Sequence, residues 1–279
     1  MEDFSNLDTS LVKKIIDKNI VRPTSIQKLV IPRLINKKDI PDENNNQNII
    51  FRSQTGTGKT YAYLLPIIQN ILHEDQSYCL IIAPTLELGA QIKSETDFLL
   101  SGLNINAELI TGSGNIKRQI ENIKKNRPRI LIGNSKRILE LIMLRKINLK
   151  RINTLVLDEA DRIMSMESID DIKRVVSFLP QKRVNIACSA TMNVKTQNML
   201  KEMLGEMVLI ESDEAEILRE NITHIAVWTE DRRKIETLRS FLSACKPKKA
   251  LVFCERGDKI EKTASSLEKR FSSIPVGKR

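Results

Sequence analysis

Residues 53–60 read SQTGTGKT, between an apolar run, NIIFR (48–52), and an apolar helical segment, YAYLLPIIQNIL (61–72). A strand, a glycine-containing loop and a helix, in that order, are what holding a nucleotide phosphate requires. Gly56 and Gly58 permit tight turns that aim backbone N–H groups at phosphate oxygens. The helix start that follows adds its positive dipole end. Lys59 can set a point charge between the β- and γ-phosphates, and Thr60 offers a hydroxyl to Mg2+. The pattern G-x-x-x-x-G-K-[ST] is met except at its first place, which is Ser53. Hydrolysis asks further for carboxylates that help hold the metal and position water. TLVLDEAD (154–161) supplies them at the end of an apolar strand. Asp158 would hold Mg2+, directly or through water, and Glu159 would orient or deprotonate the attacking water.

These residues need elements to position them. Seven short, β-branched apolar runs recur: NIIFR (48–52), CLIIA (79–83), ELIT (108–111), RILIG (129–133), TLVLD (154–158), NIACSA (185–190) and MVLIE (207–211). Helical spacing fills most of the intervals. Ile169, Ile172, Val175, Val176 and Leu179 repeat at three to four residues, with Ser168 placed to cap them. Met199, Leu200, Met203 and Leu204 do the same ahead of Gly205, a helix stop. Continuous apolar strands alternating with amphipathic helices predict an α/β domain over residues 1–210, with a parallel sheet covered on both faces. In such a sheet ligands gather at the carboxyl ends of the strands. PDENNNQ (41–47) reads as an exposed loop, and ESDEAEILREN (211–221) as a linker or short helix. ITHIAVW (222–228), a helix around RRKIETLRSFLSA (232–244) and KALVFCE (249–255) read as the opening of a second β-α-β unit over residues 222–279.

The 279 residues are 41% hydrophobic and 29% charged, an ordinary globular balance. No apolar run approaches a membrane span, and MEDFSNLDTS is too acidic and polar for a targeting peptide; a cytoplasmic location is the expectation. A net charge of +10 is compatible with a polyanionic partner. Cys79, Cys188, Cys245 and Cys254 form no C-x-x-C pair, which argues against a zinc site or a disulfide framework.

With its phosphate loop and DEAD sequence in this order, the chain resembles the DEAD-box family of ATP-dependent RNA helicases. Phe4 followed by RPTSIQ (22–27) looks like the family's Q motif, PTLELG (84–89) like motif Ia, and SAT (189–191) like motif III. ITGSG (110–114) and GNSKR (133–137) stand where two further RNA-backbone motifs lie. The resemblance implies a RecA-like fold, RNA-dependent ATP hydrolysis and local duplex unwinding, with ATP and Mg2+ as cofactors. It assigns adenine to Phe4, by stacking, and to Gln27, by hydrogen bonds. Thr24, Gln54, Thr55, Gly56, Thr57, Gly58, Lys59 and Thr60 complete the ATP contacts, and Thr60 and Asp158 the metal site. Catalysis falls to Lys59, Asp158 and Glu159. Ser189, Ala190 and Thr191 would link the ATP site to RNA through Asp161. Pro84, Thr85, Glu87, Gly112 and Arg137 would meet the RNA backbone, which fixes register without reading bases.

The RNA-facing motifs depart from the family more than the ATP-facing ones. Leu86 stands in place of an arginine, Ser113 in place of a glycine, and GNSKR in place of Thr-Pro-Gly-Arg. Weakened or altered RNA binding is the expectation. Nothing in 256–279 resembles the family's later motifs, including its arginine-finger segment. The chain therefore reads as C-terminally truncated, able to bind ATP with little turnover. The alternatives are a non-catalytic ATP- or RNA-binding or interaction module, and a related helicase acting on DNA.

Overall fold

The computed structural model describes residues 4, 6–35, 48–54, 56–74, 76–165, 169–212, 223, 225–255, 258–268 and 271–272. Thr55, Ser168, the 41–47 loop and most of the 211–221 linker lie outside them. The chain divides into two compact units, Met1–Glu220 and Asn221–Arg279.

In the first unit all seven apolar runs become strands: β1 (Ile49–Arg52), β2 (Cys79–Ile82), β3 (Ala107–Ile110), β4 (Ile130–Gly133), β5 (Thr154–Asp158), β6 (Val184–Ser189) and β7 (Val208–Glu211). They form one sheet in the order β3-β4-β2-β5-β6-β1-β7. Every pairing is parallel. β2 and β4 are buried along their whole length, as strands covered on both faces must be. Alternate residues serve opposite faces. Ile49 and Phe51 join one hydrophobic layer, with Leu11, Ile26, Tyr63 and Ile92; Ile50 joins the other, with Ile138, Ile163, Val175 and Leu200.

The first layer is built by α1 (Thr9–Asp17), α2 (Ser25–Ile35), α3 (Lys59–His73) and α4 (Leu86–Leu100). The second contains α5 (Ile116–Asn126), α6 (Ser135–Met143), α7 (Ala160–Met164), α8 (Ile169–Ser177) and α9 (Val194–Leu204). Gly205 ends α9 with φ +87°, its backbone N–H bonded to the Lys201 carbonyl, as expected from the sequence.

The second unit differs from the expectation. It holds α10 (Lys234–Cys245) and α11 (Asp258–Glu268), but no strand among its described residues. Ile225, Val227 and Trp228 are exposed, as are Leu251, Val252 and Phe253. The physical reason is that a parallel strand forms only beside a neighbour that takes its backbone groups. The described part of this unit buries only Leu242, Ala264 and Leu267 among its hydrophobic residues, too small a core to hold a sheet.

Candidate functional site

The sheet order sorts the candidate residues into two groups. β5, β6 and β1 are adjacent, and their carboxyl ends carry Asp158, Ser189 and the Ser53–Thr60 loop. β3, β4 and β2 lie together on the other side, followed by Gly112, Arg137 and Pro84–Glu87.

The phosphate loop is held from within. Gly56 and Gly58 have φ of +83° and +85°, the conformation glycine adopts without cost. Thr57 Oγ1 donates to the Gln54 carbonyl at 2.6 Å. Its one proton is then committed, so Ser53 Oγ must donate to Thr57 Oγ1, 2.5 Å away. The position that departs from the motif thus braces the loop. The Ser53 N–H bonds the Ser189 carbonyl at 3.1 Å, tying the loop to the SAT segment. Lys59 Nζ donates to the carbonyls of Ser53 at 2.6 Å and Gln54 at 2.9 Å. Burial pulls the Lys59 ammonium below its ordinary pKa, against the opposing pull of Cys188, Asp158, Glu159 and Asp161. Thr60 is half-buried in the first turn of α3.

A second segment grips the loop from outside. Thr24 Oγ1 donates to the Thr57 carbonyl at 2.8 Å. Gln27, 2% exposed, accepts from the Thr24 N–H at 3.1 Å and donates to the Gly58 carbonyl at 3.0 Å. The amide assigned to adenine therefore holds the phosphate loop here. Phe4 is buried and belongs to the hydrophobic layer of Leu7, Leu11 and Ile15.

Asp158 is 3% exposed and heavily bonded. Oδ1 accepts from the Glu159 N–H at 2.9 Å and from Cys188 Sγ at 3.0 Å. Oδ2 accepts from Tyr63 Oη at 2.8 Å. Three donors occupy three of the carboxylate's roughly four acceptor positions, which leaves one on Oδ2. That fits a hard cation such as Mg2+, which uses one or two protein oxygens and takes the rest from water and phosphate. No cluster of three or more His, Cys, Asp or Glu suited to a metal exists among the described residues. Burial, followed by the Asp158 charge, pushes the Tyr63 hydroxyl well above its ordinary pKa. Burial does the same to the Cys188 thiol, again reinforced by Asp158. Both therefore remain protonated donors.

Glu159 has φ +51° and ψ +52°, a left-handed conformation that costs a non-glycine residue roughly 1–3 kcal/mol and concentrates at functional sites. Its carboxylate is 3.3 Å from Arg162 Nη1. At Asp161, burial raises the pKa, but hydrogen bonds from Ser189, Thr191 and the Arg162 N–H outweigh it and hold the carboxyl below its ordinary range. Thr191 Oγ1 donates directly to Asp161 Oδ2. Across the intervening Ala190, the Thr191 N–H also bonds Ser189 Oγ at 3.3 Å.

On the other side, the structure brings Arg137 and Gly112 together. Arg137 donates to the carbonyls of Gly112 at 2.6 Å and Gly114 at 3.2 Å, and to Gln119 Oε1 at 3.3 Å. Its Nε faces Glu140 at 2.9 Å. Four of its five N–H groups are thus committed within the chain. Arg137 ties two loops together and is not an open phosphate clamp. Thr85 caps α4, accepting from the Leu88 N–H at 3.2 Å, and Pro84 is buried. Glu87 and Gly112 are exposed, and so is Leu86, the residue at the expected arginine position.

The contacts made by Tyr63, Cys188, Asn134 and Gln119 were not anticipated from the sequence. Tyr63 had a signal: it lies four residues after Lys59, on the same face of α3. Cys188 is the register partner of Asp158 across β5 and β6, which only strand pairing discloses. Asn134 caps α6 through the Arg137 N–H at 3.0 Å, in place of the threonine and proline of the expected motif.

A glycine-bearing loop after β1, an acidic pair after β5 and a hydroxyl pair after β6 on one parallel sheet define a RecA-like domain. The family model described as DEAD/DEAH box helicase matches residues 24–200, and the chain belongs to that family. It is 32% identical over 270 residues to the DEAD-box ATP-dependent RNA helicase CshA of Bacillus subtilis, covering 96% of this chain and 52% of that protein. It is 34% identical over 200 residues to the ATP-dependent rRNA helicase RRP3 of Encephalitozoon cuniculi, covering 71% and 47%. The chain spans about half the length of these relatives. A DEAD box protein from Methanococcus jannaschii superposes with a TM-score of 0.69 at 28% identity, covering 96% of this chain and 70% of that one. Dbp5 of S. cerevisiae, solved with RNA and ADP BeF3, shares the fold at 22% identity with a TM-score of 0.77, over 96% and 67%.

Proposed function

We propose that the chain binds ATP with Mg2+ at the Ser53–Thr60 loop and acts as the ATP-binding part of a DEAD-box RNA helicase. The observation that carries this reading is the hydrogen-bonded convergence of the Thr24–Gln27 segment, Ser53–Thr60, Asp158 and Ser189 at one sheet edge. Thr60 and the remaining acceptor position of Asp158 would hold Mg2+, which neutralises charge on the phosphate oxygens. Lys59 leaves its two carbonyl partners for the β- and γ-phosphates. Glu159 holds the attacking water. Gln27, Thr24 and Phe4 set the base end of the site. Ser189 and Thr191 pass its state through Asp161 toward the RNA side. RNA lies as a backbone against Thr85, Glu87 and Gly112, with Arg137 keeping the Gly112 loop in shape. With Leu86 uncharged and Arg137 committed internally, RNA affinity is low.

Residues 1–279 by themselves bind ATP with little turnover, because an arginine opposite the γ-phosphate is worth ~10³–10⁵ in rate and none is assigned in them. The test pairs a thermal shift with MgATP and an ATPase assay with and without single-stranded RNA or DNA. Stabilisation by MgATP in the wild type, lost in Lys59→Ala, is expected. Robust RNA-stimulated turnover abolished by Glu159→Gln would refute the low-turnover reading. The absence of any MgATP shift would refute the binding site itself.

A further inference from the structure

Tyr63 is wholly buried beneath the sheet edge, yet its hydroxyl meets a carboxylate oxygen, Asp158 Oδ2, at 2.8 Å. A phenol buried for packing alone would do as well as phenylalanine. Here the oxygen sits on the helix that opens with Lys59 and Thr60, one turn further along. Cys188 Sγ approaches the other oxygen, Oδ1, at 3.0 Å from the adjacent strand, and the Glu159 N–H shares that oxygen. The carboxylate is thus held at both ends by donors on three different elements: α3, β6 and the start of the DEAD turn. Its plane is fixed, and its last acceptor position is the one left on Oδ2, beside the Tyr63 hydroxyl.

We infer that Tyr63 and Cys188 are positioning residues for the divalent cation, setting the orientation of the Asp158 carboxylate so that its remaining acceptor position faces the nucleotide phosphates. This rests on the MgATP reading above. Hydrogen bonds that orient a metal-binding group are typically worth 10–100-fold in metal affinity. Tyr63→Phe keeps the ring in the core and deletes only the donor, freeing Oδ2 to rotate.

The experiment titrates MgCl2 into protein with a fluorescent ATP analogue, starting from EDTA. In Tyr63→Phe the Mg2+ midpoint for tightened nucleotide binding should rise about tenfold or more, while nucleotide affinity in EDTA stays within twofold of wild type. Cys188→Ala should raise the midpoint in the same direction, and Cys188→Ser, which keeps a donor, should restore it. The Cys188 pair decides the matter should Tyr63→Phe fail to fold. A midpoint unchanged in the variants, or an equal loss of affinity with and without Mg2+, would overturn the positioning role. A wild type that binds no nucleotide, or binds it without regard to Mg2+, would instead overturn the MgATP reading.

Discussion

Lys59, the lysine proposed to meet phosphate, is held against its own preference. Its folded pKa lies below the ordinary lysine value, with burial as the first cause. The folded state therefore holds this proton less tightly than the unfolded chain does, and stability rises with pH through the interval between the two values. At neutral pH the charge on Lys59 is a net cost, one that phosphate would relieve. Lys59→Met should accordingly leave the nucleotide-free Tm unchanged or higher at pH 7, by up to about 2–4 °C per kcal/mol relieved. Any gain should shrink as pH approaches 10, and stabilisation by MgATP should vanish. Calorimetry across pH checks this, and a clear drop in Tm at pH 7 would contradict it. The lysine itself was evident from the GKT sequence. Its desolvated resting place was not, because desolvation depends on what the fold stacks around the loop.

Among elements, the grip of the α2 N-terminal segment on the phosphate loop is the tightest constraint. A Cβ added at Gly58 would lie 2.3 Å from Gln27 Nε2, and φ there is +85°; at Gly56, with a similar φ of +83°, nothing lies within 4 Å. Gly58→Ala must strain the backbone and also expel Gln27 from its two hydrogen bonds. It should cost roughly 2–4 kcal/mol in urea unfolding, against about 1 kcal/mol for Gly56→Ala, where conformational strain stands alone. Equal costs would mean that the Gln27 contact contributes nothing. The seven strands were legible because apolar runs buried on both faces leave a plain pattern. Their lateral order was not, since it depends on which crossovers pack together.

For the whole molecule, the first unit contains the sheet, both hydrophobic layers and every candidate site residue among those described. Residues 1–220 produced alone should unfold cooperatively within about 2–4 °C of the 279-residue chain and keep the same MgATP shift. A loss of 10 °C or more would show that residues 221–279 complete the fold. Among the described residues of 222–228 and 249–255 no strand forms, the clearest departure from the sequence reading. Their composition suits strands, with Ile225, Val227, Leu251 and Val252 in place. Strand formation, however, needs a neighbouring backbone, which composition cannot supply.

The sequence alone determined the chemistry on offer: a phosphate cradle with its lysine, an acidic pair, a hydroxyl pair and the strands that carry them. These are local properties of residue type and spacing, and they identify the family. The tertiary structure decided which of these groups meet. It placed β6 between β5 and β1, so that SAT lies between the DEAD acids and the phosphate loop. It bonded Gln27 to the loop, bound Arg137 to the Gly112 turn and set Tyr63 and Cys188 on Asp158. Hydrogen bonds between residues 25 to 95 positions apart follow from strand order and register, which a linear pattern does not contain.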